Sequence, residues 1–425
     1  MQIKIKRTAK ILEADLTLDG LTVIAGYNDM GKSTLLKAAY IAFRTCRDPK
    51  HNVNNERRRS LKSYFRSLES YFDSKGYDML PRELLSVIAD KVISQLEVFR
   101  DEKKDSFSRL KMIFVQTLEE CMQELPKEET QDFFSDEFLR PVYEQIKKIA
   151  NRNIGEDLGF ITEMYIRNLF KGQMNSLYDQ QDAEVSVVSE SEHYQIRVRE
   201  NKVVRMEFSA NSEAEVFYLP AYHLLDITEY PVLRIQSYSP ESDLRKALIS
   251  SEKEPTFEEY QETEQNVQLV KDILAEVLHG TLEKSPAGRI LFKDRELDSH
   301  LDIANVASGM KNFLMIQSLV ERGKLKKNGI LMIDEPETNL HPQWQLKFAE
   351  ALVLLYKYMG VRSIVSSHSP YLIRAIEVKM ADENLKDKGH YYLMKEADSH
   401  MYCAKDVTRQ TDAIYELLYQ PLEYL

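Results

Sequence analysis

The octapeptide Gly26-Tyr27-Asn28-Asp29-Met30-Gly31-Lys32-Ser33 constrains this chain more than any other stretch. It fits the pattern G-x-x-x-x-G-K-[ST] and sits where one periodicity gives way to another. Before it, the run LTVIAG is continuously apolar and reads as a buried strand. After it, Leu35, Leu36, Ala39, Tyr40 and Phe43 recur on one face of a helix expected to begin near Lys32. Glycines at 26 and 31 let the backbone curl so that successive N–H groups point inward, and the following helix adds its positive end. Such a loop cradles phosphate. Lys32 offers a mobile charge to β- and γ-phosphates, and Ser33 offers a hydroxyl to Mg2+. The expected nucleotide contacts therefore run through Gly26, Tyr27, Asn28, Asp29, Met30, Gly31, Lys32, Ser33 and Thr34. An ordinary glycine-punctuated turn is the plainer reading of the pattern alone; the strand before and the helix after argue against it.

Two further segments carry chemistry. In GILMIDEPETNLHP, residues 329–342, four apolar residues lead into Asp334 and Glu335, which places two carboxylates at the C-terminal end of a buried strand. In open α/β sheets ligands sit at that edge. Asp334 can hold Mg2+, directly or through water, and Glu335 can orient or deprotonate a water that attacks the γ-phosphate. An acidic pair in that place also serves as a helix cap, so its meaning depends on the phosphate loop. In SIVSSHSP, residues 363–370, another buried strand ends in Ser367-His368-Ser369, where His368 can hydrogen-bond the γ-phosphate and the attacking water. The alternative is a histidine that caps the next turn.

Around these motifs the patterning separates into regions. Residues 2–7 and 11–18 alternate as strands. From about residue 50 to 180, Gly and Pro are sparse and apolar residues recur at helical spacing, as in Leu139, Val142, Tyr143, Ile146 and Ile149, which indicates an inserted helical region. Its most basic patch is 54–62, which includes Arg57, Arg58 and Arg59. Alternation returns across 184–208 as an antiparallel meander, followed by a buried strand over 215–222 ending at Pro220. The polar stretch 239–263 reads as a loop leading into a helix around Val267 to Leu278. A hairpin is expected across 279–292 with Pro286-Ala287-Gly288 at its turn. The strands at 329–334 and 362–367 are separated by a helix over 342–359, the alternation of a mainly parallel sheet.

Composition narrows the classes. The 425 residues can bury two or three cores, and 29% charged residues with a mean hydropathy of -0.43 indicate a soluble chain. The longest apolar runs fall short of the roughly 20 residues that a membrane span needs, and the N-terminus lacks a signal-peptide core. Cys46, Cys121 and Cys403 lie too far apart in sequence for a zinc motif or a disulfide framework. A cytoplasmic protein with no membrane partner is expected. The net charge of -11 argues against a wholly basic nucleic-acid binder but leaves local patches open.

The order of phosphate loop, long insertion, ASGMK, hydrophobic-Asp-Glu-Pro…Leu-His-Pro and Ser-His-Ser-Pro resembles the ABC-type ATPase heads of the superfamily that includes RecF and the structural-maintenance-of-chromosomes proteins. It is most similar to the overcoming-lysogenization-defect ATPases and related bacterial antiphage-defence ATPases, the Septu type among them. The resemblance covers about 1–45 and 205–395. It implies an α/β ABC-type P-loop head, a mixed, mainly parallel sheet with an antiparallel subdomain. The expected division is 1–48 and 181–425 for the head and 49–180 for the insertion. It further implies ATP and Mg2+ as cofactors, Asn28 in the loop, Ser33 and Asp334 on the metal, and Glu335 and His368 in catalysis. Val306 to Lys311 falls where the family carries its signature, so Ser308 and Gly309 are expected to contact the γ-phosphate held by a partner head. There the usual first serine is Ala307 and the usual first glycine is Ser308. The family's glutamine loop is expected after residue 222. The expected partners are a second copy in a nucleotide-linked homodimer or higher oligomer, and a separately encoded effector, a nuclease, because the chain shows no nuclease constellation of its own. Two alternatives stand beside this reading: a repair ATPase that binds nucleic acid directly through residues such as Arg57 to Arg59, and a scaffold that holds ATP without turning it over.

Overall fold

The computed structural model describes residues 1–74, 84–100, 105–121, 135–209, 215–221, 225, 237–249, 257–285, 289–398 and 400–420, with backbone alone at 69–74 and 257–266. They form two compact units, Met1–Asp48 with Ile161–Leu425, and Pro49–Phe160. Sequence patterning places the second boundary at 180, whereas the two units divide inside the helix Ile154–Phe170.

In the larger unit the strands are, in chain order, β1 (Gln2–Thr8), β2 (Ile11–Thr17), β3 (Leu21–Ala25), β4 (Ala183–Val188), β5 (His193–Arg199), β6 (Lys202–Ser209) and β7 (Val216–Leu219). Then come β8 (Gly280–Lys284), β9 (Ile290–Asp294), β10 (His300–Asp302), β11 (Ile330–Asp334), β12 (Arg362–Ser367), β13 (Gly389–Asp398) and β14 (Met401–Asp406). One mixed sheet takes the order β6-β5-β4-β1-β2-β14-β13-β3-β12-β11-β7, and β8 to β10 form a small antiparallel sheet.

Sequence pattern explains where each strand lies. β3 and β11 are buried at every residue, and they sit inside the parallel block β13-β3-β12-β11-β7, whose interior strands are covered on both faces. β1 and β2 alternate instead. Ile3 and Ile5 are buried, while the exposed Lys4 and Lys6 face Asp15 and Glu13 across the ladder. The meander β4-β5-β6 extends that antiparallel edge.

Register then decides where the chemistry goes. Ala25, the last residue of β3, stands opposite Ser367 of β12, and Asp334, the last of β11, stands opposite Ser366. Three parallel strands thus end level with one another. The helix Lys32–Cys46 follows β3 directly and buries Leu35, Leu36, Ala39, Tyr40 and Phe43, the face expected from spacing.

The expectation of a loop over 239–263 is corrected. Pro240–Ile249 is a helix and a second helix begins at Phe257. Ser239 accepts from the Ser242 N–H at 3.2 Å, Glu241 and Asp243 sit in the favourable first turn, and Leu244, Ala247 and Leu248 supply the apolar face. Ser242 and Arg245 are buried in the same turns, which makes the stretch look polar in sequence. Asp243 accepts from the Tyr40 hydroxyl at 2.9 Å and from Arg44 Nε at 3.0 Å. Burial alone would raise its carboxyl, but Arg44 and the Tyr165 hydroxyl hold it below the usual range. The expected 279–292 hairpin is present as β8 and β9, while its turn at 286–288 lies outside the described residues. The expected place of the glutamine loop lies almost wholly outside them too.

The smaller unit is helical: Pro49–Ser74, Leu84–Ser94, Ser106–Cys121 and Asp136–Ala150. Leu139, Val142, Ile146 and Ile149 enter a core with Phe65, Ile88 and Phe114, and Tyr143 packs at its margin. Arg57 does not face solvent. It is 4% exposed, and its Nε donates to Asp157 at 2.8 Å. The patch expected to offer Arg57 to nucleic acid therefore loses it to an internal ion pair; Arg58 is exposed.

Candidate active site

At the end of β3 the chain turns through Gly26, where a Cβ would lie 3.0 Å from Met394 Cβ. Asn28 and Asp29 are exposed, while Tyr27, Met30 and Thr34 are half-buried. Asp29 adopts a left-handed conformation (φ 66°), and its carboxylate pairs with Lys10 Nζ at 2.5 Å, tying the loop to the β1–β2 turn. The Tyr27 hydroxyl donates to the Leu417 carbonyl. Gly31 caps the helix at φ 86°, a conformation that disfavours any residue with a Cβ. The glycine cap gives that helix no side-chain hydrogen bond and no acidic residue stands in its first turn, so the positive end of its dipole is left toward the loop. This is the geometry an anionic phosphate fits.

Lys32 is only 3% exposed. Its Nζ donates to the Gly26 carbonyl at 2.9 Å and the Tyr27 carbonyl at 2.8 Å, and lies 3.4 Å from Glu335 Oε1. The ammonium therefore bridges the loop to the end of β11. Ser33 Oγ donates to Asp334 Oδ1 at 3.0 Å, the Tyr218 hydroxyl to Oδ2 at 3.0 Å, and Ser366 Oγ also to Oδ1. Buried as it is, Asp334 has each oxygen satisfied by a hydroxyl. The Ser33 and Asp334 oxygens side by side are hard donors of the kind Mg2+ uses together with substrate phosphates. Among the described residues no group of three or more His, Cys, Asp or Glu could hold a metal ion.

Glu335 takes a left-handed backbone (φ 48°), held by its N–H donating to the Ser366 carbonyl at 3.0 Å. A non-glycine residue there costs on the order of 1 kcal/mol and persists because the neighbouring strand fixes it. His368 lies beside its carboxylate, with Nδ1 3.6 Å from Glu335 Oε1. The imidazole holds the Glu335 carboxyl below its usual range, against the effect of burial and with help from Lys32. Reciprocally, Glu335 raises the imidazole above its ordinary value, and Glu337 adds to the effect.

Glu337 was not singled out in the sequence, though it is the third carboxylate in Asp334-Glu335-Pro336-Glu337. It is 6% exposed, and its Oε1 accepts from Ser367 Oγ at 2.8 Å, the His368 N–H at 2.8 Å and the Ser369 N–H at 3.2 Å. Tyr218 and Ser366 were also missed. The serine stands in the Ser366-Ser367-His368-Ser369 run, a usable signal, whereas Tyr218 gives none inside its apolar strand.

Lys32, Ser33, Asp334, Glu335 and His368 are brought together; Ser308 and Gly309 are not. Those two begin the helix Ser308–Glu321, whose cap Ala307 makes no side-chain hydrogen bond. Among the described residues no hydrogen bond or ion pair joins them to the Lys32 cluster. Gly309 packs instead on the Asn339–Leu340 turn.

The model of the AAA ATPase domain family matches residues 2–373. Among solved structures the chain is similar to an SmcHead bound to the C-winged helix domain of ScpA, at 10% identity over 97% of this chain and 98% of that one, with a TM-score of 0.44. It is also similar to the SMC head domain from Thermotoga maritima, at 10% identity over 96% and 98%, with a TM-score of 0.38. With most of its length matched by that family model, the chain belongs to the AAA ATPase domain family.

Proposed function

We propose that this protein binds ATP with Mg2+ in the loop Gly26–Thr34 and hydrolyses it, using the cycle to switch a separately encoded effector in an antiphage system. The observation that carries the catalytic part is the convergence of Lys32, Ser33, Asp334, Glu335 and His368 at the level ends of β3, β11 and β12. Loop N–H groups and Lys32 would hold the phosphates, and Ser33 with Asp334 would hold the metal. Bound there, Mg2+ supplies charge neutralisation on the β- and γ-phosphates. Glu335, kept ionised by its cationic neighbours, accepts a proton from water as the water oxygen bonds to the γ-phosphorus. The bond to the β–γ bridging oxygen breaks, leaving ADP and phosphate. Held in reach, His368 hydrogen-bonds the transferred phosphoryl group and so distinguishes triphosphate from diphosphate.

The switching role rests on the motif order that resembles antiphage-defence ATPases. Pairing of two copies through ATP, with Ser308 and Gly309 reaching the partner's nucleotide, would convert hydrolysis into release. Calorimetry and phosphate release on the purified protein test the core of the reading. Wild type is expected to bind Mg-ATP and turn it over, and Lys32→Ala to lose both. A Lys32→Ala protein that binds ATP as wild type does would overturn it. The biological role is tested separately by phage challenge and by co-purification with the neighbouring gene's product; a solitary protein whose loss leaves phage sensitivity unchanged removes that role and leaves the ATPase.

A further inference from the structure

Glu337 presents a physical puzzle. Its Oε1 already serves the fold by accepting three hydrogen bonds from the Ser367–Ser369 turn, while Oε2 is buried with no hydrogen-bond partner among the described residues. Burying a carboxylate with one oxygen unmatched is costly, and a glutamine would accept the same bonds without a charge. What a glutamine could not offer is a negative charge against His368, whose Nδ1 lies 3.3 Å from the same Oε1, nearer than the 3.6 Å to Glu335; burial pushes the Glu337 carboxyl up, while the His368 N–H, the Ser367 hydroxyl and the imidazole favour its ionised form. One N–H at Nδ1 can be donated to only one of the two carboxylates in a good geometry.

We infer that Glu337 is a positioning residue whose charge draws the Nδ1 side of the His368 ring, biasing the imidazole so that Nε2 faces the nucleotide site and competing with Glu335 for that ring. The inference rests on the proposed hydrolytic role of Glu335 and His368. The surroundings are built for this task. Glu337 is held by the turn that carries His368, which fixes its carboxylate relative to that segment. The Ser369 hydroxyl, donating to Gln345 at 2.6 Å, anchors that turn to the helix Pro342–Met359. Without the charge at 337, the imidazole's remaining carboxylate neighbour is Glu335, and pairing there occupies the group that should accept the proton. The arrangement parallels the orienting carboxylate of a catalytic triad, which holds an imidazole in its working tautomer without reacting itself.

Glu337→Gln tests this, since it preserves the acceptor for all three donors. In nucleotide-free protein labelled with 15N-histidine, the wild-type His368 ring is expected to carry its hydrogen on Nδ1 and the variant to show a changed ring signature, with resonances assigned by loss in His368→Asn. Turnover should fall about tenfold or more in kcat with KM for ATP little changed. Combined with His368→Ala, the substitution should cost nothing further, because its target is gone. If Glu337→Gln does not fold, Glu337→Asp decides by the same readouts: it keeps the charge and should retain the wild-type ring tautomer. An unchanged ring signature in Glu337→Gln, or an equal loss of turnover in the His368→Ala background, overturns the inference. A wild type without turnover overturns the proposed function and this role together, whereas a wild type with turnover beside an unimpaired Glu337→Gln overturns this role alone.

Discussion

Gly309 lies in a regular helix, outside the left-handed region, yet a Cβ built on it would stand 2.6 Å from the Asn339 carbonyl oxygen and 2.9 Å from Leu340 Cδ2. Backbone oxygen cannot yield as a flexible side chain does, so the helix start must move. Gly31 is the opposite case. Its Cβ would stand 2.5 Å from the tip of the Ile11 side chain rather than against backbone, and the decisive objection to a side chain there is φ 86°. One glycine is required by a close approach and the other by a torsion. Gly309→Ala is expected to lower stability by about 1–3 kcal/mol through overpacking, read as a drop in Tm. A variant as stable as wild type would show that the Asn339–Leu340 turn yields freely. Gly309 thus has an intramolecular reason to be glycine, independent of any contact with a partner's nucleotide. The turn it touches begins just after Glu337, so the helix start is packed against the segment that carries the candidate base.

At the scale of elements, the pattern of burial separates charges that build the fold from charges that face water. The helix Pro49–Ser74 carries Arg57, Arg58 and Arg59 in succession, but successive residues on a helix point about 100° apart. Arg57 turns inward to Asp157, which Arg152 Nε also reaches at 3.0 Å. Arg57→Ala leaves a buried carboxylate short of one partner, so a loss of roughly 2–4 kcal/mol is expected in denaturant unfolding. Any salt-dependent affinity for DNA should be unaffected. A DNA affinity that falls with this substitution, in protein of undiminished stability, would restore the patch as a binding surface. The same principle explains the misread stretch 239–263. Asp243 looks like a loop residue in sequence because its partners Tyr40 and Arg44 arrive from distant parts of the chain, and Ser242 and Arg245 are buried beside it.

For the whole molecule, the sheet aligns three strand ends, and that alignment turns scattered motifs into one site. Phosphate loop and acidic pair lie about three hundred residues apart, yet Ser33 and Asp334 share a hydrogen bond. In the proposed reading, a head that grips ATP at this edge and offers a second helix start at Ser308 would pair with a copy of itself, each completing the other's site. Glu335→Gln keeps a side chain of the same size while removing the proton acceptor, so ATP should persist and the pair accumulate. Sedimentation in Mg-ATP is expected to shift this variant to a dimer and to leave Lys32→Ala monomeric. Equal sedimentation of both variants, with ATP bound to the first, would remove nucleotide-linked pairing from the proposal. No helix among the described residues is long and apolar enough to cross a membrane.

By itself the sequence determined what local physics can write. Strand β3, the glycines that let the chain turn after it, the helix face that follows, and the buried run ending in Asp334 are each encoded within a dozen residues, where periodicity and torsional freedom suffice. Tertiary structure decided what depends on meetings between distant segments. It buried Arg57, folded 240–249 as a helix, brought Tyr218 to Asp334, and set Glu337 under His368. The physical reason is that a carboxylate, hydroxyl or guanidinium has no fixed role until burial chooses its partner. Hydrophobic spacing is read along the chain, whereas the pairing of polar groups is settled only by the neighbours that packing supplies.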